Sequence, residues 1–122
     1  MKDLTADMLV DFNKDQHNHG IPKNVEEKLD LFIQHLALSA KNDLEMASWM
    51  IFHLIHEHPF IDGNKRTAVF VLDYYLSKKE YFLDNSTKIH IILKYTGPDW
   101  APKKIYSDLY RILSEYNPKF KA

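Results

Sequence analysis

The spacing of apolar residues along this chain predicts a succession of α-helices. Thr5 stands where the N-cap of a first helix is expected, and that helix runs from Ala6 to about Asn18, before a Gly-x-Pro pattern at 20–22. Asn24 and Glu27 form a capping-box pattern at the start of a second helix. The apolar positions of the second helix recur at helical spacing, and they are Val25, Leu29, Phe32, Ile33 and Leu36.

Two further helices are predicted on either side of a short loop in the middle of the chain. Asp43 is positioned to cap the third helix, which has to stop near His58, because a residue before a proline is pushed out of the α region. The loop then covers 59–64, and the fourth helix runs from Asn64 to Lys79. The apolar stripes are Leu44, Ala47, Ile51, Leu54 and Ile55 in the third helix, and Ala68, Val71, Leu72 and Tyr75 in the fourth.

The C-terminal third of the sequence continues the helical pattern. A short extended piece is expected at 81–83, followed by helices at 86–95 and 99–116, and the tail after Pro118 is expected to be loose. Hydrophobic residues make up 45% of the chain, which is enough for a packed core, and no repeat or linker divides it. The expected fold class is therefore all-α, with residues 1–122 forming a single domain.

Charge and composition argue against several classes of binding partner and site. The formal net charge is -1, without the basic excess that is typical of nucleic-acid and membrane-surface binders. The chain has no cysteine, so disulfides and Cys-type zinc sites are excluded, and no apolar run approaches the roughly 20 residues of a membrane helix. We therefore expect a soluble, cytoplasmic protein with neither a membrane partner nor direct nucleic-acid binding.

Chemistry-bearing residues are concentrated where the central loop opens into the fourth helix. Asp62, Gly63 and Asn64 lead into a helix N-terminus, whose backbone N–H groups favour anions. Lys65 and Arg66 follow in the first turn, where each cation opposes the helix dipole at a cost of about 0.3–1 kcal/mol. A bound phosphate would compensate for both, since Arg grips phosphate bidentately and Lys acts as a point charge.

The residues around this phosphate cradle supply the other parts of a group-transfer site. Asp62 lies beside the expected phosphates, where a carboxylate usually holds Mg2+. His58 lies across the loop, and as a neutral imidazole it can remove a proton from an attacking hydroxyl. Phe60 is expected to be a buried anchor of the loop. Taken singly, each residue has an ordinary structural explanation, and only their combination indicates phosphoryl or nucleotidyl transfer.

The combination resembles the Fic motif, His-x-Phe-x-(Asp/Glu)-Gly-Asn-Gly-Arg, in which a second Arg follows after two further residues. The chain matches this motif at His58, Phe60, Asp62, Gly63, Asn64 and Arg66. It departs from the motif at Lys65, which replaces a Gly, and at Val69, which replaces the second Arg. Both departures are similar to the Doc branch of the Fic/Doc family, the death-on-curing toxins, whose motif reads Asn-Lys-Arg-Thr-Ala as residues 64–68 do.

The resemblance implies an all-helical Fido fold with the motif loop between two central helices. It also implies roles for the matching residues: His58 is the general base, Asp62 binds Mg2+, and 63–66 hold the phosphates of ATP. In the Doc branch the lysine is associated with an inverted nucleotide, so Lys65 favours transfer of the γ-phosphate rather than AMP. The implied activity is transfer of phosphate to a Ser/Thr hydroxyl of a target protein.

The resemblance further implies partners. Self-restrained Fic proteins carry a (Ser/Thr)-x-x-x-Glu-(Gly/Asn) motif, and no such pattern occurs in this sequence. We therefore expect restraint by a cognate antitoxin, as in Doc toxin–antitoxin systems, and a target such as elongation factor Tu. The alternatives are a Fic-type AMP-transferase and a non-catalytic Fido module that binds a nucleotide or a partner.

Three histidines and a glutamate in 53–58 make a zinc site a further alternative. His53 shares a helical face with His56 and with Glu57. The order of these residues, with His58 last, matches neither His-Glu-x-x-His nor His-x-x-Glu-His, the helical zinc-protease patterns. The sequence therefore disfavours a dedicated zinc site.

Overall fold

The computed structural model describes residue 1 and residues 3–122. These residues form six α-helices and no strand, which confirms the predicted all-α class. In chain order the helices are α1 (Ala6–Lys14), α2 (Val25–Ser39), α3 (Asp43–His56), α4 (Asn64–Lys79), α5 (Asn85–Lys94) and α6 (Pro102–Tyr116). Within the same residues, no helix combines the length and the apolar character needed to cross a lipid bilayer.

Helix α3 lies at the centre of the fold. Its buried residues are Leu44, Met46, Ala47, Ser48, Met50, Ile51, Leu54 and Ile55. At about 100° per residue, they cover more than half of the helix circumference. Helices α4, α6 and α2 pack around it, while α4 also contacts α1 and α5. The two helices joined by the loop at 57–63, called the motif loop below, are therefore the most extensively packed pair, as expected for two central helices.

The predicted N-cap of α3 is wrong, and the predicted N-cap of α2 holds its position without a capping hydrogen bond. The side chain that caps α3 is Asn42, whose Oδ1 accepts the Glu45 N–H at 2.8 Å. Asp43 is the first helical residue, and its carboxylate pairs with Lys79 of α4 at 2.9 Å. Asn24 does precede α2, but its φ is 64°, and in this left-handed conformation its side chain makes no capping hydrogen bond.

The limits of α1 and α6 also differ from the prediction. Thr5 precedes α1, but its hydroxyl donates to Asp7 Oδ1 at 2.5 Å and caps no backbone group. Helix α1 ends at Lys14 and not near Asn18, and the residues that follow turn away, so that Gln16 contacts Arg66 of α4 and His19 contacts Asp62 of the motif loop. Helix α6 begins at Pro102 and not at 99, at the first helical position where the missing N–H of proline is harmless.

The C-terminal tail is held in place, contrary to the prediction that it is loose. Phe120 packs its ring against the rings of Tyr81 and Tyr110 at centroid distances of 5.2 and 5.0 Å. The Tyr81 hydroxyl donates to the Lys121 C=O at 2.7 Å. The expected extended piece at 81–83 forms no strand, but the Asn117 amide pairs with the backbone N–H and C=O of Phe82 much as a neighbouring strand would.

Candidate active site

The motif loop leaves α3 through an unusual backbone conformation at His58. Helix α3 ends at His56, and Glu57 is its C-cap, so the prediction that the helix stops near His58 is confirmed. The φ of His58 is 48°, a left-handed value that is rare for a non-glycine residue. The same residue is exposed, and it therefore presents its imidazole to solvent at the start of the loop.

The side chain of Asn64 closes the loop on itself. Its Oδ1 accepts the Phe60 N–H at 3.0 Å, and its Nδ2 donates to the Phe60 C=O at 2.9 Å. Phe60 is only 3% exposed, so the side chain that is predicted to anchor the loop is buried. Both ends of the Asn64 amide are thus engaged by the backbone of Phe60, and the backbone N–H of Asn64 lies at the start of α4, where a phosphate can accept it.

Gly63 is the N-cap of α4 and has a φ of 74°. The first hydrogen bond of the helix runs from the Thr67 N–H to the Gly63 C=O at 2.9 Å. The N–H groups of Asn64, Lys65 and Arg66 therefore precede the first intrahelical bond, which is the arrangement that attracts an anion. The Gly63 N–H itself donates to Asp62 Oδ1 at 2.7 Å.

A buried side chain of α1, Asn13, ties this helix N-terminus to the rest of the fold. Its Nδ2 donates to the Asp62 C=O at 2.8 Å and to Thr67 Oγ1 at 3.2 Å, and its Oδ1 lies 2.8 Å from His17 Nε2. A Cβ on Gly63 would meet Asn13 Nδ2 at 3.0 Å, so Asn13 would have to shift, and the φ of 74° also favours glycine here. Sequence reasoning missed Asn13, although it follows the buried Leu9 by one helical turn, and this position marks the inner face of α1.

The segment after α1 also reaches the charged residues of the site. Arg66 Nη1 donates to the Gln16 C=O at 2.8 Å, which fixes the guanidinium and leaves its other N–H groups for an anion. His19 Nε2 lies 3.6 Å from Asp62 Oδ2. Lys65 is exposed beside them. No local sequence pattern indicates Gln16 or His19, because their contacts join parts of the chain far apart in sequence.

One cavity of about 320 Å3, called the motif cavity below, is lined by seven residues, 58 and 61–66. The structure thus brings together six of the sequence-predicted site residues around one space, while the seventh, Phe60, is buried and not part of the lining. The cavity has the carboxylate of Asp62, the cations Lys65 and Arg66, and a helix N-terminus around it. Its size lies at the lower end of the range for small-molecule sites.

The donor groups of the motif cavity fit a nucleotide phosphate with Mg2+. Protein-bound Mg2+ is usually held by one or two carboxylates and otherwise by phosphate oxygens and water. Asp62 offers Oδ2 for this purpose, since Oδ1 accepts the Gly63 N–H. When bound, Mg2+ would offset the negative charge of the phosphates next to that carboxylate.

The histidines of α3 take part in packing and backbone contacts. The ring of His53 stacks on Phe32 at a centroid distance of 4.3 Å, and burial lowers the pKa of His53. His56 Nε2 lies 2.9 Å from the Tyr95 C=O. Across residues 1 and 3–122, no three His, Asp or Glu side chains are grouped closely enough to hold a metal ion by themselves.

One of three comparisons with known proteins gives a match. The model of the Fic/DOC family matches residues 3–76. The match covers more than half of the chain and includes α1 with Asn13, the motif loop and nearly all of α4. Comparison with curated proteins and comparison with solved structures each gave no match.

Proposed function

Because the chain belongs to the Fic/DOC family, we propose that it transfers the γ-phosphate of ATP to a Ser/Thr hydroxyl of a target protein. The observation that carries the proposal is the motif cavity. There, a carboxylate, two cations and a helix N-terminus surround one space, with His58 also on its lining. Phosphoryl transfer depends mainly on positioning and on stabilising the phosphate charge, and this set of groups provides both.

In the proposed reaction, His58 acts as the general base. The acceptor hydroxyl gives its proton to the imidazole, and its oxygen forms a new bond to the γ-phosphorus while the bond to the ADP oxygen breaks. Asp62 would hold Mg2+, and the N–H groups at the start of α4 would hydrogen-bond the phosphate oxygens. The contact with Gln16 orients Arg66 in advance, so that little side-chain entropy is lost on binding.

Two residues favour phosphate transfer over AMP transfer. Lys65 lies in the motif cavity where AMP-transferring Fic enzymes have glycine, and its side chain fills space that a diphosphate leaving group would need. Val69 follows Arg66 by one helical turn, and both line a neighbouring apolar cavity. A second arginine at this position would put another cation next to Arg66, where it could hold a diphosphate leaving group. Valine cannot hold that group.

We further propose that the protein acts as a Doc-like toxin controlled by a cognate antitoxin. The sequence lacks the (Ser/Thr)-x-x-x-Glu-(Gly/Asn) pattern of self-restrained Fic proteins, so restraint is assigned to a separate chain. A translation factor such as elongation factor Tu is the proposed target, from the precedent of the Doc branch.

The test uses ATP labelled at either the α- or the γ-phosphate, with elongation factor Tu and heat-treated bacterial extract as acceptors. We expect label only from the γ position, and a loss of at least about 100-fold in His58→Ala, because a general base contributes about 100- to 10,000-fold. His90→Ala is the matched control, since His90 is an exposed histidine on α5. We also expect growth arrest on expression of the wild type and not of His58→Ala.

Each other outcome assigns a different function. Label from the α position alone would replace phosphate transfer by AMP transfer. No label from either position, together with equally harmless wild type and His58→Ala, would leave a module that only binds a nucleotide or a partner.

A further inference from the structure

His58 also lines a second cavity, of about 420 Å3, that contains none of residues 61–66. Leu29 and Val25 are buried and form its floor, being 1% and 5% exposed. Lys23 and Lys28 are exposed and form part of its rim. We call it the lysine cavity. Its apolar floor and charged rim resemble a site for a peptide segment more than a site for a nucleotide phosphate.

The lysine cavity carries an excess of positive charge. Within residues 1 and 3–122, neither Lys23 nor Lys28 has an ion-pair partner, and Glu57 is the only carboxylate on the lining. His53 lies there too, but burial lowers its pKa, so it adds little positive charge near neutral pH. Two ammonium groups against one carboxylate make the cavity basic, in a chain whose net charge is -1.

We infer that the lysine cavity binds the acceptor segment of the protein substrate and selects a Ser/Thr hydroxyl with acidic side chains near it in sequence. This inference rests on the proposed function. If the motif cavity holds ATP, the hydroxyl has to reach His58 from space that the nucleotide leaves free, and the lysine cavity opens onto the same residue. Lys23 and Lys28 would then pair with the acidic side chains of the segment, and the apolar floor would accept an aliphatic neighbour.

Synthetic serine peptides that differ only in their flanking residues test the inference. One peptide carries glutamates, one glutamines and one lysines, and each is offered to the wild type and to Lys23→Glu/Lys28→Glu. Peptide binding is measured without ATP, and phosphate transfer is measured with ATP. The matched control is Lys103→Glu/Lys119→Glu, which reverses two exposed lysines outside the lysine cavity.

The wild type is expected to bind the glutamate peptide about tenfold more tightly than the glutamine peptide, and the lysine-cavity variant is expected to prefer the lysine peptide. ATP affinity should be the same in both proteins, because the motif cavity is unchanged. Equal binding of the three peptides by the wild type, or the same preference in the lysine-cavity variant, would overturn the inference.

The two readouts separate this inference from the proposed function. If the expected binding preference is found without any phosphate transfer, the acceptor site stands and the proposed reaction fails. If phosphate is transferred without a binding preference, the proposed reaction stands, and the inferred preference for acceptor segments with acidic side chains is wrong.

Discussion

At the scale of single residues, Asn64 has a role that differs from the one its place in the motif suggests. An asparagine beside a phosphate cradle is naturally assigned to the ligand, but here both ends of its amide hold the backbone of Phe60. The side chain is 9% exposed, so these hydrogen bonds are shielded from water. Its contribution to the site is therefore the shape of the loop that places Asp62 and Gly63.

We predict that Asn64→Ala lowers the free energy of unfolding by roughly 2–4 kcal/mol, because it leaves a buried N–H and a buried C=O of Phe60 without partners. ATP binding should weaken as well, since the loop loses its fixed shape. Denaturant unfolding and calorimetric ATP titration measure the two effects. Asn85→Ala is the control, an exposed asparagine in the first turn of α5. Wild-type stability in Asn64→Ala would contradict the assigned role.

At the scale of elements, the site depends on the approach of α1 to the N-terminus of α4. Asn13 of α1 bonds the Asp62 C=O and Thr67, and the turn after α1 supplies the Gln16 C=O to Arg66. The approach is close enough that a Cβ on Gly63 would touch Asn13. The geometry of the cradle is thus set jointly by two helices that are far apart in sequence.

The chain offers a matched pair of glycines that measures this approach. Gly63 and Gly20 both have a left-handed φ, 74° and 81°, but a Cβ on Gly20 would meet nothing within 4 Å. Gly20→Ala should cost about 1 kcal/mol of backbone strain. Gly63→Ala should cost more, roughly 2–3 kcal/mol, because Asn13 has to shift as well. The denaturant midpoints of the two variants compare their stabilities. Equal losses of unfolding free energy would show that the contact between Gly63 and Asn13 adds nothing to the cost of the substitution.

The sequence predicted the elements near the motif well and the contacts between distant elements poorly. The limits of α4, Asn64 and Lys79, were predicted correctly, because Gly63 directly precedes the helix and a lysine-rich last turn follows its apolar stripe. Local capping patterns failed at Asn24 and Asp43, where a left-handed φ and a pair with Lys79 took precedence. The Asn13 contacts depend on tertiary packing, which a single sequence pattern does not encode.

At the scale of the whole molecule, two buried tyrosines couple stability to alkaline pH. Burial raises the pKa of Tyr75, whose hydroxyl has no hydrogen-bond partner among residues 1 and 3–122. Burial also raises the pKa of Tyr95, with the nearby Asp108 adding to the shift. The Tyr95 hydroxyl donates to Asp108 Oδ2 at 3.0 Å. Both groups bind their protons more tightly in the folded than in the unfolded chain.

The sign of the pH effect follows from these raised pKa values. The contribution of each tyrosine is full below the ordinary pKa near 10 and is lost as the pH rises above it, because only the unfolded chain then ionises freely. Unfolding free energy measured from pH 9 to pH 11 should therefore fall in the wild type and fall less in Tyr75→Phe. At pH 7, Tyr75→Phe should be as stable as the wild type or more so, since it removes an unpaired buried hydroxyl.

Tyr110→Phe is the control for this experiment, because Tyr110 is 45% exposed. Above pH 9, the unfolding free energy of Tyr110→Phe should fall with pH as steeply as that of the wild type. The same slope in Tyr75→Phe would mean that the buried hydroxyl does not couple folding to alkaline pH.

The position of α6 against α3 has a consequence for how the protein is made. Helix α3, which leads into the motif loop, is covered on one side by α6, which the ribosome synthesises after the other five helices. Until residues 102–116 have emerged, that side of an apolar helix is open to chaperones and to other nascent chains. Helix α3, which precedes the motif loop, is thus fully packed only after α6 has been made. A chain that is cut short before α6 would therefore expose the side of its central helix that α6 covers.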